Sequence, residues 1–510
     1  MITPGSADTV PAEGAAAAPV VATTAGLVRG FWRGRPGGPD ASAAFLGIPF
    51  AAAPVGALRF AAPQDPDPWT GVRDATTYGP TPQRGDKGET LIPEPSIPGD
   101  ATLNVNVFTP AVPGPDATGP DLPVLVWIHG GGYVDGSPAS PWYDGGTFNR
   151  DGVVFVALSY RLGFDGFGLV DGAPANRGVL DWIAGLEWVR RNIAAFGGDP
   201  SRVTIAGQSA GGGGVLTLLG LERAQHLFHS VLAASPALAD VDADTARGRT
   251  SRLAEMLGCA PTADGFRTIP ERQVMRAQPK AALRGATGLR AVLDPLVSGL
   301  PWGPVVDGDV VPRPTVEALR AGIGSGKALL LGATDDEYTP VLDHAPRALR
   351  FVPAALALRL LCRDRVVRRA YLAANLPQRR RGTAALLGRF VSDRVFRSLV
   401  VQAAEARGAA PTWTYRFAWV SPAKGWSSHC VDVPFWFDVL AEPHVPALTG
   451  PTPPQRLATE MHAVAAAFVR DGDPGWPAWR TDPGISRVFG GGPAEEVLST
   501  TAFDGALPLV

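Results

Sequence analysis

Unbroken apolar runs, not alternating ones, mark out this chain. Residues 122–128, 153–158, 203–206, 231–233 and 328–331 are almost wholly apolar and of strand length. Runs without polar alternation fit strands covered on both faces, as in a parallel sheet. Between two of them, Ile183, Leu186, Val189, Ile193 and Phe196 fall on one stripe. Their spacing predicts a helix from about 180 to 196, stopped by Gly197-Gly198. Strand and helix signals alternate, so the expected class is α/β with crossover helices. Residues from about 345 to 405 differ: they are Arg-rich, with Leu356, Leu358, Leu360, Leu361, Leu386, Leu387 and Phe390 at helical spacing. A helical insertion beside the sheet is predicted there. Residues 413–417 resume the sheet, and an amphipathic helix over about 456–470 packs back on. The Ala-, Pro- and Gly-rich residues 1–20 are expected to be a disordered tail, and 21–510 a single domain.

Composition narrows this picture. The chain has 510 residues, 45% hydrophobic and 18% charged, the make-up of a globular protein with a large core. A formal net charge of −2 argues against a nucleic-acid partner. Only Lys87, Lys280, Lys327 and Lys424 are lysines, which with the Ala and Gly load points to a GC-rich bacterial genome. Cys259, Cys362 and Cys430 are too few for a disulfide framework. There is no C-x-x-C or H-E-x-x-H, so no zinc site is expected, and the serine chemistry read below needs no metal or other cofactor. The N-terminus carries Asp8 and Glu13 without a basic n-region, and no stretch is long and apolar enough to span a bilayer. The expected location is the cytoplasm, with no membrane partner. Gly324-Ser325-Gly326-Lys327 fails as a phosphate loop, because Ala321 and Ala328 stand where that motif needs Gly and Ser/Thr.

The chemistry centres on Gly207-Gln208-Ser209-Ala210-Gly211. Strand, G-x-S-x-G, helix is the layout of a nucleophile elbow. So tight a turn needs glycine two positions either side of the serine, and it pushes the hydroxyl outward. Ser209 is therefore the expected nucleophile, and it needs a base. With the order serine, acid, histidine, the base lies beyond the acid. His129, His226 and His229 are excluded by position, and His344 crowds the acid segment. His444 sits among prolines, and His462 lies on the closing helix with Met461 and Phe468. His429, in a loop just after a core strand, is the expected base. The acid belongs just after a sheet strand, where Asp335, Asp336 and Glu337 are all candidates and spacing does not choose among them. His129-Gly130-Gly131-Gly132-Tyr133 follows the 122–128 strand and is an HGGG-type oxyanion loop. The amides of Gly131, Gly132 and Ala210 are expected to hold the tetrahedral oxyanion.

Further blocks carry a family resemblance. They are 45–50 with 54–60, 105–110, Ser159-Tyr160-Arg161-Leu162-Gly163, Asn176 with Asp181, 196–200, and Val305-Val306-Asp307-Gly308. With these, the chain from about residue 23 resembles the type-B carboxylesterases, which include cholinesterases and bacterial para-nitrobenzyl esterases. The resemblance implies an α/β-hydrolase fold: a mostly parallel central sheet flanked by helices, with a helical insertion. It implies a serine carboxylesterase acting on a small-molecule ester through an acyl-enzyme. Aligning the family's Gly-x-Asn-x-Asp-Glu block with 332–337 makes Glu337 the triad acid, and His429 falls at the family histidine, with Asp432 and Phe435 following as expected. Departures carry information. Gln208 replaces a frequent Glu, which removes a negative charge beside the acyl site and weakens the case for a cationic substrate. Thr81 and Thr102 stand where secreted members have paired cysteines; Ser159 and Trp182 replace the usual Asn and Gln. Tyr133, Gln208, Trp142, Phe164, Trp426 and Trp436 are the expected lining of a largely apolar pocket. The alternatives are amide, carbamate or thioester cleavage on the same triad, or a catalytically silent binding protein.

Overall fold

The computed structural model describes residues 17–82, 85, 88, 90–114, 121–282, 300–342, 351–482, 484–492 and 496–510. Most of the expected disordered tail, residues 345–350 of the expected insertion and His344 lie outside them.

An eleven-stranded sheet organises the molecule. In chain order its strands are β1 (Phe31–Arg33), β2 (Ser42–Pro49), β3 (Asn104–Thr109), β4 (Leu122–Ile128), β5 (Val154–Leu158), β6 (Gly198–Gln208), β7 (Ser230–Ala234), β8 (Ala328–Thr334), β9 (Thr412–Phe417), β10 (Ser486–Phe489) and β11 (Leu498–Ser499). Their spatial order is β11-β10-β9-β8-β7-β6-β4-β5-β3-β2-β1. From β5 across to β10 every neighbouring pair is parallel. Antiparallel pairs flank this block: β1 to β3 with β5 on one side, β11 on the other. A separate small sheet, outside the eleven strands, pairs Val20–Thr23 with Gly26–Arg29.

The unbroken apolar runs have a direct cause. On β4, Val124, Val126 and Ile128 enter one hydrophobic core, while Leu125 and Trp127 enter another on the opposite face. Val154, Val156 and Leu158 divide from Phe155 and Ala157 in the same way, and Leu329 and Leu331 from Leu330. A strand with a core on each side has no solvent face to fill with polar residues. Helices cover both faces. α1 (Arg177–Asn192) and α2 (Ala210–Leu219) lie on the first, and Val179, Trp182, Leu186 and Val189 of α1 join its core. The chain leaves α1 through the 3-10 turn Ile193–Phe196 and Gly197, whose φ of +84° suits glycine.

α3 (Ala243–Leu257) and α4 (Glu271–Ala282) follow β7. Residues 354–406 form α5 (Ala354–Leu361), α6 (Arg365–Ala374), α7 (Leu376–Arg381), α8 (Thr383–Ser392), a π-helical turn Asp393–Arg397, and α9 (Ser398–Ala406). α9 packs against β8 and β9 on the first face. α10 (Gln455–Asp471) covers the other, with Met461, Ala465 and Phe468 in the second core. Because β4, β6, β8 and β9 run parallel, the loops that follow them emerge at one sheet edge. In an open α/β sheet that edge is where ligands bind.

Candidate active site

β6 ends at Gln208 and α2 begins at Ala210, so a single residue turns the chain from strand to helix. That residue, Ser209, has φ 58° and ψ −123°. Such a backbone costs about 1–3 kcal/mol and persists only where its surroundings fix it. Here they do: Ser209 N–H donates to Ala234 O at 2.9 Å, and its carbonyl accepts from Gly213 N at 2.9 Å and Ala237 N at 3.0 Å. A Cβ on Gly207 would lie 2.5 Å from the Gly211 carbonyl group, and one on Gly211 would lie 2.0 Å from Ile128 O. Both glycines are therefore steric necessities.

The glycine loop after β4 lies directly against this turn. A Cβ on Gly130 would come within 3.1 Å of Ser209 Cβ. Gly131 and Gly132 have φ of +108° and +61°, and Val134 N and Asp135 N both donate to Gly131 O, at 3.1 and 2.8 Å. Tyr160 anchors the loop's first residue by stacking on His129 and donating its hydroxyl to His129 O at 3.0 Å. Among the described residues, the amides of Gly131, Gly132 and Ala210 donate to no carbonyl or side chain. A Cβ on Gly132 would make ordinary contact with Leu300 at 3.7 Å and Val134 at 3.9 Å.

His429 reaches this point from 220 residues further along the chain, with Nε2 2.9 Å from Ser209 Oγ. Its Nδ1 lies 2.5 Å from Glu337 Oε2. Glu337 is fixed in turn: Oε1 accepts from Thr334 N at 2.8 Å, and its backbone carbonyl accepts from His429 N at 3.1 Å. Burial penalises the charged imidazole, but Cys430 and Glu337 outweigh it, and the balance is upward from the ordinary value. Tyr338 stacks on the ring, with centroids 5.7 Å apart, and Phe396 approaches to 4.8 Å.

The three acids after β8 are separated by their surroundings. Asp335 faces away from His429 and pairs with Arg397 at 2.8 Å and Arg416 at 2.6 Å. Burial alone would raise it, but Arg416, Arg397 and Arg389 hold it well below the usual carboxylate range. Among the described residues Asp336 has a single ion-pair contact, Arg389 at 3.8 Å, and burial raises its pKa. Only Glu337 meets the imidazole. Behind the site, Asp432 is fully buried; Oδ2 accepts from Tyr415 and Trp436 at 3.3 Å each, and Oδ1 has no partner among the described residues. Burial, reinforced by the Glu337 charge, pushes Asp432 up to about 7.

The expected pocket aromatics lie in packed surroundings. Tyr133 is fully buried against Phe167 and Trp182, with its hydroxyl donating to Ala237 O. Trp142 is also fully buried and donates to Pro443 O, while Trp436 packs on Tyr415 and Phe489. Trp426 lies under the Arg381 guanidinium, 3.6 Å from the ring centroid. Tyr133, Trp142 and Trp436 belong to the two-sided core, the commoner fate of a buried aromatic. Phe164 borders a cavity of about 350 Å³ together with Val134, Leu162, Ile269 and Val274. Sequence reasoning missed Tyr338 and Phe396. Tyr338 could have been found as the neighbour of Glu337; Phe396 carried no local signal, because a π-helical turn in the insertion delivers it. Among the described residues no helix is long and apolar enough to cross a membrane.

The profile of the Carboxylesterase family matches residues 17–483. Para-nitrobenzyl esterase of Bacillus subtilis is 32% identical over 459 residues, covering 86% of this chain and 88% of that protein. Phenmedipham hydrolase of Pseudarthrobacter oxydans is 32% identical over 512 residues, covering 94% and 96%. Among solved structures, Geobacillus stearothermophilus carboxylesterase EST55 superposes with a TM-score of 0.77 at 33% identity, covering 92% of this chain and 96% of that one.

Proposed function

This chain belongs to the Carboxylesterase family and is a carboxylic-ester hydrolase, and from that premise we propose that Ser209, His429 and Glu337 are its catalytic triad. The observation that carries the reading is the continuous relay of Glu337 Oε2 to His429 Nδ1 at 2.5 Å and His429 Nε2 to Ser209 Oγ at 2.9 Å. His429 Nε2 takes the hydroxyl proton as Ser209 Oγ attacks the ester carbonyl. Glu337 orients the ring and stabilises its charged form. The amides of Gly131, Gly132 and Ala210 receive the oxyanion, where each donor is worth about 10²–10³ in rate. His429 then gives its proton to the leaving alkoxide, and water, activated by the same base, releases the acyl group.

The favoured substrates are neutral esters with acyl groups of modest size. Two features support this: Gln208 is uncharged, and the apolar side chains of Leu300 and Val134 lie against Gly132 of the glycine loop. Cys259, Cys362 and Cys430 are all free thiols, which supports a reducing compartment such as the cytoplasm. The test is a panel of p-nitrophenyl esters of graded acyl length, run beside Ser209→Ala. The expected loss in that variant is about 10⁶-fold in kcat. Unchanged turnover refutes the nucleophile, and faster turnover of choline esters than of neutral esters of equal acyl length refutes the substrate class.

A further inference from the structure

The residue before the nucleophile occupies a place that the reaction scheme leaves unused. Gln208 closes β6, and only 1% of it is exposed. Its amide nitrogen lies 3.3 Å from His429 Nε2 and 3.3 Å from Cys430 Sγ. Its amide oxygen points toward the glycine loop, 3.1 Å from where a Cβ on Gly130 would sit. One buried amide thus bridges the oxyanion loop and the His429 loop.

His429 Nδ1 faces a carboxylate, which only accepts, so the neutral ring carries its proton on Nδ1 and its lone pair on Nε2. Two donors face that lone pair: the Ser209 hydroxyl at 2.9 Å and the Gln208 amide at 3.3 Å. The hydroxyl is nearer, and the amide has a second acceptor in Cys430 Sγ. We propose that Gln208 is a positioning residue whose N–H, shared with Cys430 Sγ, keeps Nε2 in its proton-accepting form without displacing Ser209. The inference rests on the triad reading above.

The physical reason is a balance of charge. Glu337 and Tyr338 face the ring from the loop after β8, Cys430 and Asp432 from its own loop, and Phe396 from the insertion. Glu337, Asp432 and Cys430 all favour the imidazolium. A base that is protonated before substrate arrives does no work. Burial opposes that state, and so does an N–H held against Nε2, because it meets another N–H once the ring is charged. Gln208 thereby offsets the pull of Glu337.

The test is the pH profile of kcat/KM for a short neutral ester in the parent, Gln208→Glu, Gln208→Met and Cys430→Ala. A carboxylate at 208 favours the imidazolium, so the acid limb moves up by about one pH unit, with about tenfold lower kcat/KM on that limb. Gln208→Met keeps the shape without the donor and moves the limb the same way by less, which keeps the test decisive if the charged variant does not fold. Cys430→Ala takes away the second acceptor and turns the amide wholly onto Nε2; the limb moves down and the plateau falls. Gln208→Met decides, because the other two variants also change a group that acts on the ring directly: loss of plateau activity with an unmoved limb in Gln208→Met overturns the proposal and leaves Gln208 a packing residue. Ser209→Ala runs alongside. If it stays active, the triad reading fails; if it is dead and the limbs do not move, only the assignment of Gln208 fails.

Discussion

Replacing Glu337 with glutamine probes the relay at one atom. Glu337 uses both oxygens: Oε1 accepts from Thr334 N at 2.8 Å, and Oε2 faces His429 Nδ1 at 2.5 Å. A glutamine has one carbonyl to serve both. Keeping it on the buried Thr334 N–H turns the amide NH2 toward His429 Nδ1. That nitrogen must then accept, so the ring proton moves to Nε2, facing Ser209 with no lone pair to take a proton. The opposite rotamer preserves the tautomer but leaves Thr334 N–H facing an NH2, at a cost of about 1–3 kcal/mol for an unsatisfied buried donor. The first arrangement is favoured by that margin, and the wrong tautomer costs a triad enzyme about 10⁴ in kcat. Glu337→Gln is therefore expected to fold and melt close to the parent while losing about four orders of magnitude in kcat on p-nitrophenyl acetate. Asp336→Asn is the matched control, because Asp336 does not touch the imidazole. A Glu337→Gln variant within tenfold of the parent, or an Asp336→Asn variant as damaged, refutes the reasoning.

Three other perturbations separate stability from chemistry. Asp335→Asn leaves Arg397 and Arg416 without their shared buried carboxylate; the expected loss is about 3–5 kcal/mol in urea unfolding, with a much smaller fall in kcat of the folded fraction. An unchanged urea midpoint would show that Asp335 is dispensable. Gly211→Ala puts a methyl group 2.0 Å from Ile128 O, so strand and helix must part, and a displacement near 1 Å costs about 10²-fold in kcat even in soluble protein. Parent-like kcat in that variant contradicts the steric argument. Asp432 titrates at about 7 when folded, above the ordinary 3.8. The folded state thus keeps a proton that the unfolded chain releases, and the penalty grows as pH rises between those values. Asp432→Asn should melt with the parent near pH 4 and above it near pH 8, by up to a few kcal/mol; an equal offset at both pH values counts against a buried charge as the cause.

What could be read from the sequence divides by the range of the interaction. The β4, β5, β7 and β8 runs were legible because a strand between two cores must be apolar on every residue. The elbow and the glycine loop were legible because each is a local backbone problem that only certain residues solve: Gly211 cannot be anything else with Ile128 O 2.0 Å from its Cβ position. The family blocks carried the rest of the fold. The antiparallel edge strands, α3 and α4 were not foreseen; β1 and β11 are too short to show a period. The partners of the pocket aromatics were not legible for a different reason. Composition says that a ring is buried, not what it is buried against, and in a large two-sided core most rings meet other rings. Phe396 was invisible because its contact with His429 depends on a π turn that no local pattern announces.

The segment Asp335-Asp336-Glu337 shows how the insertion and the active site are joined. Asp335 and Glu337 sit two residues apart beyond the end of β8, and their side chains serve different partners. Glu337 holds the imidazole. Asp335 holds Arg397, which also pairs with Asp393 at 2.7 Å and donates to Ala502 O at 2.9 Å. Arg397 closes the π-helical turn that carries Phe396, one residue earlier, onto the His429 ring. The insertion therefore reaches His429 twice: through the backbone that Asp335 shares with Glu337, and through the ring that Arg397's turn delivers. A π turn adds a residue to the helical register and is often retained where it re-aims a side chain. If it does so here, removing one residue from 393–397 restores an ordinary helix, swings Phe396 off the imidazole and pulls Arg397 from Asp335 together. That deletion should then lower both stability and kcat; Phe396→Ala, which empties a buried ring site, should cost about 3–5 kcal/mol in urea unfolding and lower kcat while leaving the Arg397–Asp335 pair in place.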